Sequence, residues 1–485
     1  MSLRVATAKR IGCAMSAALL LILLLSPRAH AATPPLDGAC GQASPSAAFC
    51  VGLDKLADAA STECRALGIP DSSCVLPAGQ RVLASETAAY LSSWTHRAVQ
   101  FQYALGDSLP LGQAQWLGTH NSFNSFSYGP TPSRMDSNQQ LTLSQQLAID
   151  MRALELDTHW MPAANSQGGQ VVICHGRDYS QANFGCTTES PLPTMLSEVD
   201  RWLNANRNQV VLLYLDDNFG PAAAYAEATQ ELDAGLVRPD GSSLIYRPPP
   251  SAISSSGCAR LPLDISRNQV RAAGRQVILV AADCASGWSS DVFSWRSEEV
   301  ESGSTPGFKP YPTCDASYSR EVYATHLVRY FEDSTFVAAV TNPTETPAEQ
   351  QANALSPADV SWMTSCGVNL FGFDQILPDD GRLAAAVWSW ADGEPRLNEG
   401  QCTFQGADGR WSTGDCATVR PAACTTAGGT WLLSAPVDYS RAAAACSAQG
   451  ATFNLPRSGL QNSVLHTVLS GGTGWLHLRL RGHRS

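Results

Sequence analysis

The sequence predicts an α/β chain built around a parallel sheet or barrel. A small helical, disulfide-tied segment precedes it and a cysteine- and tryptophan-rich module follows it. Three observations predict this. Strand-like apolar runs alternate with helical stretches between residues 105 and 390, the pattern from which parallel sheets and barrels are built. Cys40, Cys50, Cys64 and Cys74 crowd into a stretch whose apolar residues are mostly Ala and Leu. Farther on, Trp388, Trp390, Trp411, Trp431 and Trp475 accompany Cys402, Cys416, Cys424 and Cys446. With 485 residues, one large domain with smaller companions is expected.

Taken in order, residues 1–31 read as a secretory signal. Arg4, Lys9 and Arg10 lead, Ala14 to Leu25 is an unbroken low-polarity run too short to span a bilayer, and Ala29-His30-Ala31 offers small residues for cleavage. Residues 32–104 form the Cys-rich segment, 105–390 the alternating region and 391–485 the tail module. Candidate strands are 115–119, 153–157, 171–174, 210–216, 277–282, 324–330 and 368–374; an eighth is not visible. Thr142 and Gln145 stand at capping-box spacing before a helix that places Leu143, Leu147 and Met151 on one face. Between Asp157 and Val171 there is too little chain for a helix with its loops, so strict strand-helix repetition fails there. The runs 239–257 and 303–313 are Gly-, Pro- and polar-rich loops. The last eleven residues turn abruptly basic, for which the sequence offers no physical account.

The formal net charge is −11, and more acidic once the signal is removed, which disfavours non-specific nucleic-acid binding. Fourteen of the fifteen cysteines lie beyond the signal, an even count that suits disulfides in an exported chain. No pair shows CxxC spacing, so structural zinc is not expected. The expected destination is extracellular or periplasmic.

Three short segments carry the chemistry. Each follows an apolar run: Gly118-Thr119-His120-Asn121-Ser122, Leu154-Glu155-Leu156-Asp157, and Val172-Ile173-Cys174-His175-Gly176. Barrels keep reactive groups where strands end. Two residues apart on a strand, Glu155 and Asp157 face the same side, and two such carboxylates repel unless a cation or protons lie between them. Two imidazoles and several hard oxygen donors meeting at one spot would suit cleavage of a phosphodiester with a bound divalent cation.

These positions resemble the catalytic domain of phosphatidylinositol-specific phospholipase C, within the wider group of phospholipase-C-like phosphodiesterases. The matches are His120-Asn121, the run Arg152 to Asp157, His175-Gly176, and the strand 210–215 ending in Asp216, where metal-dependent members usually carry Glu. The resemblance implies a distorted TIM (β/α)8-type barrel over residues 105–390. It implies His120, His175, Glu155 and Asp157 as catalytic residues, and Asn121, Glu155, Asp157 and Asp216 as ligands of calcium, with magnesium the alternative. His120 would contact the phosphoryl group or act as base, with Glu155 or Asp157 sharing that role, and His175 would protonate the leaving oxygen. Arg177 is a candidate phosphate contact and Asp374 a candidate partner for a histidine, while His159 reads as structural. The implied partner is a phospholipid or another phosphodiester, met at a membrane surface.

The tail resembles parts of a C-type lectin-like domain in permuted order, through Trp388-Ser-Trp390, Gly393-Glu394-Pro395, Gly409-Arg410-Trp411 and its cysteines. That comparison suggests Cys402–Cys416 and Cys424–Cys446 pairs. Arg396 and Ser412-Thr413 replace calcium-binding residues of that family, which argues against sugar binding at that place. An inactive barrel with a surface- or carbohydrate-binding tail is the competing reading, and glycerophosphodiesterase or sphingomyelinase D-like activity a third; the intact set of histidines and carboxylates favours the enzyme.

Overall fold

In the computed structural model, strands form at β1 (Trp116–Thr119), β2 (Ala153–Pro162), β3 (Gly169–Ile173), β4 (Val211–Asn218), β5 (Val277–Ala281), β6 (Val292–Ser294), β7 (Glu299–Glu301), β8 (Leu327–Phe331) and β9 (Leu370–Phe373). The structure describes residues 47–69, 84–129, 136–162, 168–175, 190–253, 257–281, 286–295, 299–301, 326–335 and 354–480, together with Asp71, Cys74, Leu76, Val82 and Arg134. The expected signal at residues 1–31, Gly176 and Arg177 lie outside these residues. Strand order is β6-β5-β4-β2-β1-β9-β8-β7, all neighbours parallel. The sheet curls toward a barrel, and among the described residues no pairing joins β6 to β7.

Both faces of the sheet are covered, which is why the strands read as continuous apolar runs. Trp116, Leu212, Tyr214, Ile278, Val280, Phe293, Trp295 and Leu370 fill the inner face. On the outer face Leu117, Leu154, Leu156, Leu213, Leu215, Leu279 and Phe371 belong to the larger core shared with the helices. Strand alternation therefore puts Glu155 and Asp157 inside. Gly118 permits close strand contact: a Cβ there would lie 2.5 Å from the Ala153 carbonyl oxygen and 2.9 Å from that of Phe371.

One predicted strand needs correction. The 171–174 run does form a strand, but β3 pairs antiparallel with β2, from Thr158↔Ile173 to Pro162↔Gly169. The short connection after Asp157 allows a hairpin and no helix. Two strands of three residues, β6 and β7, do not stand out as apolar runs and bring the parallel strands among the described residues to eight.

Helices α1 (Ala47–Ala66), α2 (Ala84–Ser92) and α3 (Trp94–Gly106) make the N-terminal segment, with a Cys64–Cys74 disulfide. Helix α4 (Leu143–Ala148) has the predicted capping box of Thr142 and Gln145. Among the described residues, the remaining barrel helices are α5 (Leu192–Ala205), α6 (Ala222–Gly235), α7 (Arg267–Ala272), α8 (Pro357–Cys366) and α9 (Gly381–Ala385). Asp150, fully buried with φ +74°, fastens the N-terminal helices to the sheet. Its carboxylate accepts hydrogen bonds from the Tyr90 hydroxyl at 2.7 Å and Gln100 Nε2 at 2.6 Å, and meets His96 Nδ1 at 2.9 Å. The Tyr103 hydroxyl donates to the Asp150 carbonyl oxygen.

The tail folds as two three-stranded sheets. One is β11 (Trp411–Gly414), β10 (Cys402–Gln405) and β15 (Gly474–Arg479); the other is β13 (Trp431–Leu433), β12 (Ala423–Thr425) and β14 (Thr452–Phe453). Helices α10 (Ala442–Ser447) and α11 (Gly459–Leu469) complete it. Disulfides join Cys402 to Cys416 and Cys424 to Cys446, as the lectin comparison suggested. Part of the basic C-terminal run is β15, paired antiparallel with β10. Trp390 and Trp411 pack on Phe101 of α3, with ring centroids 5.3 and 6.1 Å away.

Asp150→Ala would strip the partner from several buried donors and place Ala at a positive φ, costing about 3–5 kcal/mol. Asp150→Asn, which tolerates that φ, should cost less. The midpoints of urea unfolding measure both; equal stability of Asp150→Ala and the parent would contradict this role.

Candidate active site

The ends of β1, β2, β4, β8 and β9 open onto one mouth. His120 follows β1, and its backbone N–H donates to the Phe373 carbonyl oxygen at 3.1 Å, so the residue after β1 lies beside the residue after β9. That residue is Asp374, whose Oδ1 is 3.1 Å from His120 Nδ1. On its other edge His120 Nε2 is 3.9 Å from Glu155 Oε2. The imidazole thus stands between two carboxylates. Its ring also packs 5.9 Å from that of Phe331.

A chain of hydrogen bonds fixes Asp374. Its Oδ2 accepts from the Ser334 N–H at 2.8 Å and the Ser334 hydroxyl at 3.1 Å, and its Oδ1 from Asn138 Nδ2 at 3.1 Å. Its own N–H donates to Glu332 Oε2 at 2.6 Å, and Glu332 is paired with Arg382 at 2.6 Å. Gln139 Nε2 clamps the same junction, donating to the carbonyl oxygens of His120 and Phe373 at 2.7 Å each.

Asn121 adopts φ +43°, a left-handed conformation uncommon for a residue with a side chain. The turn points its N–H at Glu155 Oε2, 2.9 Å away. With Oδ1 accepting from His120 Nε2 at 3.1 Å, its Nδ2 donates to both oxygens of Asp157 at 3.1 and 3.2 Å. The amide thereby bridges histidine and carboxylate, so its oxygen would have to be released before it could serve a cation.

Glu155 and Asp157 lie side by side on the inner face of β2, 7 % and 6 % exposed, and Asp216 is the register partner of Asp157 on β4. The Asp216 carboxylate accepts from the Tyr214 hydroxyl at 3.2 Å and from Asn218 Nδ2 at 3.1 Å. Burial raises the pKa of Glu155, opposed by the His120 charge and the Asn121 N–H. Burial also raises Asp157 well above the carboxylate range, reinforced by Glu155 and Asp216. For His120, burial pulls the pKa down, but Asp374 and Glu155 together win, pushing it up to about 10. It is an imidazolium at neutral pH.

His175 is exposed, two residues beyond β3. The hairpin brings it back to the mouth, since the Cys174 N–H donates to the Asp157 carbonyl oxygen at 3.2 Å. His159 is fully buried, as a structural histidine would be. Arg329, on β8, went unnoticed in the sequence. Its guanidinium lies 4.9 Å from the Phe331 ring centroid and 6.0 Å from that of Tyr214, and its charge is felt by Glu155. No motif surrounds Arg329, Glu332 or Ser334; only their place at the end of an apolar run marks them.

Hard oxygen donors that repel one another out of water suit a divalent cation. Glu155, Asp157 and Asp216 share one face in this way. Among the described residues, the set of three histidine or acidic groups whose ligand atoms come within 4.8 Å of one another is His120, Asp333 and Asp374. Asp333, which follows β8, adds an exposed carboxylate that the sequence did not single out.

The family model described as Rv2075c PI-PLC-like domain matches residues 75–380. Two proteins of Mycobacterium tuberculosis are 52% identical to this chain over 454 residues, covering 93% of each: uncharacterized protein Rv2075c of strain ATCC 25618 / H37Rv and uncharacterized protein MT2135 of strain CDC 1551 / Oshkosh. Among solved structures, the phosphatidylinositol-specific phospholipase C from Listeria monocytogenes is 13% identical with a TM-score of 0.39, covering 60% of this chain and 98% of its own. One from Staphylococcus aureus is 11% identical with a TM-score of 0.35, covering 61% and 93%. With well over half of the chain matched by the family model and two relatives alike along nearly their whole length, the protein belongs to the Rv2075c PI-PLC-like domain family.

Proposed function

We propose that this protein is an exported, calcium-dependent phosphodiesterase that cleaves a phospholipid of the phosphatidylinositol type at a membrane surface. The observation that carries the reading is His120, held between Asp374 and Glu155, with Asp157 next along β2 and Asp216 in register with it on β4. Family membership and the run of residues 1–31 support it.

The cleavage is an intramolecular transfer. A substrate hydroxyl next to the phosphodiester attacks phosphorus, the bond to the lipid alcohol breaks, and a cyclic phosphate remains. Positively charged, His120 donates from Nε2 to a phosphoryl oxygen once the Asn121 amide turns away, and stabilises the charge that grows there. An imidazolium cannot accept the attacking proton, so that duty falls to Glu155 or Asp157, whose raised pKa values bring a carboxylate nearer to the working pH. His175, exposed at the rim, protonates the leaving oxygen. Glu155, Asp157 and Asp216, with Asn121 once its amide turns, would hold the calcium ion. When bound, it lowers the pKa of the attacking hydroxyl and stabilises the phosphoryl oxygens.

The test is turnover of phosphatidylinositol vesicles with calcium and with chelator added. Chelator-sensitive release of a cyclic inositol phosphate, reduced ~10²- to 10⁴-fold in His120→Ala, is expected. Turnover that ignores both chelator and His120→Ala would overturn the reading.

A second prediction concerns pH. Asp374 raises the pKa of His120, so the protonated form persists until the pH approaches about 10. Asp374→Asn removes the larger attractive charge, and the imidazolium is then lost at lower pH. The alkaline limb of the kcat/KM profile should move down; an unmoved limb would separate His120 from it.

A further inference from the structure

A second cluster of charge lies at the other end of the strands from His120. Arg152 stands immediately before β2, and Arg267 and Arg271 lie on α7. With Asp107 and Tyr103 at the end of α3 they line a cavity of about 80 Å³, and exposed Asn208 stands on its rim. Glu155 and Asp157 are three and five residues farther along β2 than Arg152, so roughly 10 to 17 Å separates this place from the mouth. The volume is more than twice the ~30 Å³ share of one water and well under the ~300 Å³ of small-molecule sites. That excludes a lipid headgroup and admits a tetrahedral oxyanion.

The charges of the lining do not balance. Three arginines stand there against one carboxylate, and Asp107 is shared by two of them, with Oδ1 3.0 Å from Arg267 Nε and Oδ2 2.5 Å from Arg271 Nη2. Arg152 has no carboxylate to itself. Asp150 Oδ1 is 3.6 Å from its Nη2, and the Asp150 carboxylate already meets Tyr90, Gln100 and His96 at 2.7, 2.6 and 2.9 Å. Arg152 Nε donates to Gln209 Oε1 at 2.9 Å, and Nη1 to the carbonyl oxygens of Leu147 and Met151 at 2.8 Å each. Nη2 makes no hydrogen bond among the described residues and is not sealed; since Arg152 is 3 % exposed, the space Nη2 meets is the cavity the residue lines. The Trp202 and Tyr103 rings, 4.5 and 5.5 Å from the guanidinium carbon, cover its faces and leave this edge for a ligand. Burial lowers the pKa of Arg267, opposed by Asp107 and reinforced by the charges of Arg271 and Arg152. Buried charges are normally paired, and a surplus of guanidinium beside an open space is relieved by an anion.

We propose that this cavity, between α3, α7 and the start of β2, binds a small tetrahedral oxyanion of the phosphate or sulfate class. Arg152 Nη2 donates to one oxygen and Arg271 approaches another from the rim, the in-plane N–H geometry that suits guanidinium to such ions. Bound there, the ion ties the N-terminal helices to the barrel. The site is separate from the phosphodiesterase mouth and does not depend on what that mouth cleaves.

Isothermal titration calorimetry of the full chain with inorganic phosphate and with sulfate, in chloride buffer of constant ionic strength, tests the assignment. Saturable binding of at least one of the two is expected. It should weaken ~10-fold in Arg271→Gln, which removes a cation, and tighten ~3- to 10-fold in Asp107→Asn, which removes the competing carboxylate. It should be unchanged in His120→Ala, which separates it from phosphate held at the mouth. Thermal unfolding checks that each variant is folded, and because the two lining variants shift affinity in opposite directions, either one alone decides. No saturable binding of either oxyanion, an affinity left equal to the parent in a folded lining variant, or loss of binding in His120→Ala would each overturn it.

Discussion

Carboxylates that share a face away from water must be neutralised, and the region around the barrel mouth is organised by that need. Glu155 and Asp157 are adjacent on the inside of β2, with Asp216 in register beside them. His120 and Arg329 supply positive charge from two other strands. The deeper supports follow. Asp374 holds His120, Ser334 and Asn138 hold Asp374, and the Glu332–Arg382 pair anchors the Asp374 backbone from below. Arg382 Nη2 also donates to the Asp374 carbonyl oxygen at 3.0 Å. A buried cluster of charges keeps its geometry only when its groups are locked by neighbours, and several of the locks here are backbone-to-side-chain bonds between strand ends.

Much of the mouth was legible because a strand has a period of two. Leu154 and Leu156 facing outward fixes Glu155 and Asp157 inward, and that follows from the residues alone. The His120–Asp374 contact is not encoded locally, since it spans most of the barrel sequence and depends on β1 lying next to β9. Strand order is a property of closure, and local pattern does not encode it. The hairpin of β2 and β3 was half visible: the short connection excluded a helix, but the antiparallel return appeared only in the fold. The three-residue strands β6 and β7 carry too few side chains to produce a pattern. Asn121 and Gln375 hold positive φ angles immediately after His120 and Asp374, and with no glycine at either place no residue type marks these turns.

The flanking regions are less separate than composition suggests. Cysteine clustering sets both apart, yet α3 buries Tyr103 and Gln102 against the barrel, and Gln102 Oε1 accepts from the N–H groups of Trp388 and Ser389. Trp94 of the same helix donates its indole N–H to the Glu394 carbonyl oxygen at 2.7 Å. One helix therefore contacts the barrel on one side and the tail on the other. Cysteine spacing reports how a segment is stapled internally, whereas these contacts depend on single aromatic and amide residues that no spacing reveals.

The protonation states divide the chemistry among the groups of the mouth. Burial alone would leave His120 neutral and able to accept a proton, but two carboxylates within reach outweigh it and keep the ring charged. The same burial acts in the opposite sense on Glu155 and Asp157, favouring their protonated forms. The charge of each group is thus set by how many opposite charges it faces against its burial: His120 faces more than one and becomes the fixed cation. Asp157 is buried and faces two like charges against one imidazolium, so its pKa is raised.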